Sequence, residues 1–289
     1  MVNIKNIKNK IINFSSIKKI TKAMEMISVI KIKRLELKKK KILPYIFTLK
    51  KILKNLIFLS KIKKEKNIFL FRNNVKKVVI IIVLTSKGLC NGLNNNLFKF
   101  LLPYLKNFLL KNISYKLIIF GKKEINFLNK FKKQIKIYDF NFFKSSYSIN
   151  LFKILNSLFK NYKLKSFDQV FIVFHKFYNK MNYKLVFKRL LPIKINFKQK
   201  NEYKYWDYIY ESNRMKLFEN VFNKFFKSMV YNNILENLIS EYSSRIISMR
   251  NSSENSSNLI KELNIIYNKA RQYNITQELT EIISGASVI

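Results

Sequence analysis

Cys90 and His175 are the only cysteine and the only histidine in this 289-residue chain. One thiol allows no internal disulfide, which fits a reducing compartment. One imidazole builds neither a nucleophilic triad nor a metal site by itself. Cys90 falls in the run Thr85-Ser86-Lys87-Gly88-Leu89-Cys90-Asn91-Gly92, between an apolar strand pattern and a helical one, where phosphate loops sit. That run matches neither GxGxxG nor GxxxxGK[ST]. The expectation is a tight strand-to-helix turn with Cys90 as a small packed residue. Two of the chain's 4 glycines, Gly88 and Gly92, lie here, which predicts a left-handed backbone. No catalytic, cofactor-binding or metal-binding residue is assigned.

What the chain does carry is length and periodicity. From about residue 213 to 286 there is no proline, and the only glycine is Gly285. Leu235, Ile239, Tyr242, Ile246, Met249, Ser253, Ser256, Ile260, Leu263, Tyr267 and Ala270 step by alternating fours and threes, one stripe of a supercoiled helix. Such a helix spans roughly 110 Å and needs a partner. Ile4, Ile7, Ile11, Phe14, Ile17, Ile20, Met24 and Ile27 supply a second stripe. The two ends are expected to pair antiparallel, with Met24 level with Arg245 and paired positions summing to near 269. The C-terminal tip, with Ile275, Leu279, Ile282, Ile283, Val288 and Ile289, is then left to bury its apolar groups elsewhere.

Between the ends, strands are predicted at 77–86, 115–120, 135–140, 169–174 and 184–191. They alternate with helices at 94–110 (broken or started near Pro103), 122–132 and 148–162. Pro44 is expected to kink or end the first helix. The fold class is α/β: a long antiparallel two-helix coiled coil of the chain ends with an inserted open Rossmann-like domain. The divisions are 1–70, 71–205 and 206–289.

A net charge of +41, from 57 Lys and Arg against 16 Asp and Glu, ordinarily points to nucleic acid or an anionic membrane surface. Here Lys, Asn, Ile, Phe and Tyr, with A/T-rich codons, are abundant, while Gly, Pro and Ala are scarce. Mutational bias therefore accounts for most of the lysine. The lysines are also spread along the chain, with no aromatic-interleaved binding motif. The first 10 residues hold no continuous apolar stretch, so no signal peptide is expected, and the longest apolar run, 78–84, is far short of a membrane span.

Three strings are more specific: KITKAMEMIS at 19–28, SKGLCNGLN at 86–94, and LIKELNIIYNKARQYNITQELTEIISGA at 259–286, with WDYIYE at 206–211. Together they resemble the gamma subunit of F-type ATP synthases from end to end. Against that family's usual TDRGLCGG pattern, Ser86, Lys87 and Asn91 depart, though Asn91 tolerates a left-handed conformation. The resemblance implies a non-catalytic rotor shaft inside a hexamer of alpha and beta subunits, seated with an epsilon subunit on a membrane c-ring, turned by proton flow. It implies no cofactor, no nucleic acid, and a peripheral position on the cytoplasmic face of a bacterial cell membrane. Lys22, Met24 and Arg245 are then expected to meet a beta-subunit acidic loop, and Arg271 and Gln272 a second loop. Thr276 and Glu278 follow, and Ile282, Ile283 and Val288 would turn within an apolar collar.

Overall fold

The computed structural model describes residues 4–59, 69, 75–85, 87–121, 135–138, 146–179, 182–193 and 213–286. In chain order the elements are α1 (Ile4–Leu59), β1 (Lys77–Val83), α2 (Leu93–Leu110), β2 (Ser114–Phe120) and β3 (Ile135–Tyr138). After these come α3 (Ser146–Lys163), β4 (Gln169–Asn179), β5 (Asn182–Leu191) and α4 (Arg214–Ala286). The helix expected at 122–132, Ser86 and the string at 206–211 lie outside the described residues. Two compact units divide the chain, residues 32–242 and residues 1–31 with 243–289; α1 and α4 contribute to both.

The larger unit is built on a five-stranded sheet of order β3-β2-β1-β4-β5. The first three pairings (β1 with β2, β1 with β4, β2 with β3) are parallel, and β5 closes one edge antiparallel to β4. Parallel strands are covered on both faces and read as continuous apolar runs, which is why β1 is KVVIIIV with six buried residues in succession. Val78, Ile80, Ile82 and Leu84 pack with Leu97, Phe98, Leu101 and Leu105 of α2. Val79, Ile81 and Val83 turn the other way, into a core shared with α3, the later part of α1 and the first part of α4. The α4 segment belonging to this unit carries a buried row: Phe218, Phe222, Phe226, Val230, Ile234 and Leu238 are all buried at four-residue spacing. The Phe69 ring stacks on Phe159 at 5.4 Å and meets Phe222 at 4.8 Å.

Neither proline ends its helix. Pro44 lies inside α1 and Pro103 inside α2. Each removes one N–H, but Pro44, Pro103 and the residues four back, Lys40 and Lys99, are all exposed, so water can take the freed carbonyls. The hairpin strands also run further than the apolar pattern marks, to Asn179 and from Asn182, because ladder pairing continues past the buried residues.

Asp168 ties the sheet's start together. Its Oδ2 accepts from the backbone N–H groups of Lys76 and Lys77 at 2.8 and 2.9 Å, while its own N–H donates to the Lys77 carbonyl at 2.7 Å. At the far end of β2, Gly121 has φ +128, and a Cβ there would stand 2.9 Å from the Leu84 carbonyl oxygen.

In the smaller unit, residues 4–31 of α1 pair antiparallel with α4. Lys18 Nζ donates to Ser257 Oγ at 3.0 Å, and Arg250 Nη2 to Glu25 Oε1 at 3.1 Å; both pairs sum to 275. The α4 stripe is as expected: Ile246, Met249, Ser253, Ser256, Ile260, Leu263, Tyr267 and Ala270 are each buried or half-buried among mostly exposed neighbours.

The α1 stripe and the register differ from expectation. Ile4, Ile7, Ile11 and Phe14 do turn inward, but Ile17, Ile20, Met24 and Ile27 are 42%, 56%, 40% and 51% exposed. Thr21, Glu25 and Ser28 are buried instead. The cause is Glu25, which is held by an ion pair from Arg250, while the hydroxyls of Thr21 and Ser28 bond to their own helix's carbonyls at Lys18 and Met24. A polar seam whose groups are satisfied has no need of the apolar stripe. The register therefore moves by six positions, from 269 to 275.

Candidate functional site

The turn after β1 uses its polar groups on itself. Asn94 Oδ1 accepts from the Thr85 N–H at 3.2 Å, and Asn94 Nδ2 donates to Thr85 Oγ1 at 2.9 Å, both buried. Leu93 N–H, the first helical donor of α2, is directed at the Cys90 carbonyl. Cys90 is 7% exposed, and its Sγ faces the carbonyls of Lys87 and Gly88, both at 3.3 Å. Asn91 and Gly92 take the left-handed backbone at φ 47 and 66, and so does Leu89 at φ 64. Leu89 is a placement the sequence does not signal. The run from Thr85 to Gly92 is thus a strand-to-helix turn in which the N–H groups of Leu93 and Asn96 donate to the carbonyls of Cys90 and Gly92.

His175 is 1% exposed on β4. Its backbone N–H donates to Asn237 Oδ1 at 2.9 Å, its Nδ1 stands 3.2 Å from the same oxygen, and Ser240 Oγ donates to its carbonyl at 3.1 Å. Burial pushes the imidazole down to about 4, against partial support from Asn237 and the Leu93 backbone. It is a neutral fastener between sheet and helix. Among the described residues no group of three His, Cys, Asp or Glu could hold a metal, and no helix is long and apolar enough to cross a membrane.

The surface that remains is one of contact. Lys22 is exposed and reaches back to Glu25 Oε2 at 3.0 Å, and Met24 beside it is open. Arg245, in contrast, is 7% exposed and faces inward. With paired positions summing to 275 it lies level with residue 30, roughly 12 Å along the helix from Lys22, so the two cations are not brought together. Arg250, absent from the expected set, meets α1 instead. Burial competes with the ion pairs at Glu25, yet hydrogen bonding to Lys22 dominates and holds the carboxyl below its ordinary value.

Arg271 stands level with residue 4, the first described residue of α1. Beyond it every described residue but Gln277 is exposed. Arg271, Gln272, Thr276 and Glu278 all open outward, Ile282 and Ile283 are 68% and 66% exposed, and Val288 lies outside the described residues. Thr276 Oγ1 donates to the Gln272 carbonyl at 2.9 Å, so its hydroxyl is engaged within the helix.

An α/β unit joined to a paired helix that carries a bare apolar tip is the build of a subunit that presents surface to other chains. The whole sequence from residue 3 to 289 matches the family described as ATP synthase. The chain is 39% identical to the ATP synthase gamma chain of Buchnera aphidicola subsp. Schlechtendalia chinensis, over 99% of this chain and 98% of that one. It is 37% identical to the gamma chain of Pasteurella multocida over the full length of both. Its fold matches a chain of the Euglena gracilis mitochondrial ATP synthase at TM-score 0.67 and 18% identity, covering 99% of this chain and 94% of that one. A Tetrahymena thermophila central stalk and c-ring structure matches at 0.60 and 22%, covering 81% and 99%. The chain belongs to the ATP synthase family, as a gamma chain. It is thus the non-catalytic central rotor shaft of that machine, a peripheral part of a membrane-bound complex.

Proposed function

We propose that this chain couples rotation of a proton-driven c-ring to sequential conformational change in three beta subunits, through named contacts on its two helices. The observation that carries this is the α4 tip, where Ile275, Leu279, Ile282 and Ile283 stand 44–68% exposed with no covering element among the described residues. Apolar groups lined along a helix end beyond its own partner call for a surrounding surface. Ile282, Ile283 and Val288 turn inside an apolar collar formed by the alpha and beta subunits. Arg271, Gln272, Thr276 and Glu278 make polar contacts about one to three turns below.

Lys22 and Met24, on the exposed face of α1 beside Ile20 and Ile27, meet the acidic lever loop of a beta subunit. Arg245, expected at the same loop, lies two turns further along the pair and faces inward, so this contact rests on Lys22 and Met24. The α/β unit sits with an epsilon subunit on the c-ring, at the cytoplasmic face of a bacterial cell membrane. For assembly we take 1–70 and 206–289 as the helical parts and 71–205 as the seated domain. Rotation then acts as a coupling free energy between two distant sites carried by a stiff element.

The test is to mix the chain with alpha and beta subunits and weigh the complex, expecting one copy per hexamer. Ile282→Asp with Ile283→Asp should lower coupled ATP hydrolysis in that complex while leaving the isolated chain folded. Unchanged hydrolysis, or no stable complex with the unaltered chain, defeats the proposal.

A further inference from the structure

In the smaller unit one buried carboxylate holds two exposed cations, one from each helix. The Glu25 side chain on α1 is 7% exposed. Its Oε2 accepts from Lys22 Nζ at 3.0 Å, and its Oε1 from Arg250 Nε and Nη2 at 3.2 and 3.1 Å. The side chains of Lys22 and Arg250 are 57% and 54% exposed. A buried carboxylate is costly unless it is paired and hydrogen-bonded, and a single cation would meet that need. With two, a unit of positive charge stays uncompensated at the surface. Glu254, one turn along α4 from Arg250, is exposed, and among the described residues it forms no ion pair with either cation.

The donors left over have a set direction. Lys22 spends one of three ammonium N–H groups on Glu25. Arg250 meets Glu25 with its Nε and Nη2 edge, which leaves the Nη1–Nη2 edge of the guanidinium facing away from Glu25. That edge matches the two oxygens of a further carboxylate. The arrangement needs both helices in this register, since Arg250 reaches Glu25 only where paired positions sum to 275.

Resting on the reading that this level of the shaft meets an acidic loop of a beta subunit, we propose that Arg250 is the second cation of that contact. Glu25 is a positioning residue that holds Lys22 and Arg250 as one fork for a pair of partner carboxylates. The uncompensated charge supplies the attraction, and the fixed guanidinium supplies direction at little further cost in side-chain freedom.

The test is zero-length carbodiimide coupling in the complex with alpha and beta subunits, each new amide bond being located by mass spectrometry. Lys22 should join a beta-subunit Asp or Glu, and Arg250→Lys should place an amine that joins the same loop. Asn255→Lys, exposed and about 140° around α4 from that position, should give far less of this bond. Glu25→Gln keeps both cations but releases them, so bonds from Lys22 should scatter over several carboxylates. In the membrane-bound complex Arg250→Gln should lower protons pumped per ATP hydrolysed by about 1.5- to 5-fold, as loss of one exposed ion pair does, with Arg250→Lys recovering most of it. Bonds from Arg250→Lys to Glu25 alone, or an equal yield from Asn255→Lys, overturn the proposal while a Lys22 bond leaves the lever-loop reading standing. No beta-subunit bond from either position overturns both.

Discussion

His175 gives the sharpest quantitative prediction, because the chain has no other histidine. In the folded protein burial holds its pKa at about 4; in the unfolded chain it returns to about 6.5. Between those values the unfolded chain binds a proton that the native chain refuses, so stability falls as pH falls. The loss begins near pH 6.5 and is complete below about 4, where it reaches about 3 kcal/mol. At pH 5 the loss relative to pH 8 is about 2 kcal/mol. Paired carboxylates such as Glu25 add a slope of the same sign at lower pH, so the comparison must be between variants. His175→Asn keeps a polar side chain beside Asn237 and Ser240 but does not titrate. Urea unfolding at pH 8 and pH 5 should show wild type losing about 2 kcal/mol more than the variant. An imidazole resonance titrating near 6.5 in the folded chain, or equal pH losses in the two proteins, would refute the reasoning.

Gly121→Ala should cost several kcal/mol of stability by thermal unfolding, because φ +128 and a Cβ at 2.9 Å from the Leu84 carbonyl offend together. Glu25→Gln should loosen the paired helices by about 1–2 kcal/mol, less than a fully buried pair since Lys22 and Arg250 are both more than half exposed. Hydrogen exchange of the 21–28 amides reads this, and Arg250→Gln added to Glu25→Gln should cost little more. Asp168→Ala leaves the N–H groups of Lys76 and Lys77 without their acceptor and should cost about 2 kcal/mol, with Asp168→Asn recovering part of it. Denaturant unfolding followed by circular dichroism measures both.

The sequence by itself determined the sheet and the α4 stripe. A buried parallel strand has to be apolar on both faces, so β1 and its neighbours announce themselves as β-branched runs. The α4 seam, from Ile246 to Ala270, is the set of side chains that avoids water, and its spacing follows from helical geometry alone. The gamma-chain strings carried the family and, with it, the expected contact residues.

Only the tertiary structure decided which face of α1 turns inward. Apolar spacing favoured Ile17, Ile20, Met24 and Ile27, but the energy of a side chain depends on its partners as well as on its own transfer from water. Arg250, two hundred and twenty-five positions away in the chain, satisfies Glu25 and brings Thr21 and Ser28 inward with it. The same holds for Asp168, whose role is visible only once two strand starts lie beside it. A period along one helix is local information, whereas a pairing between distant charges is not.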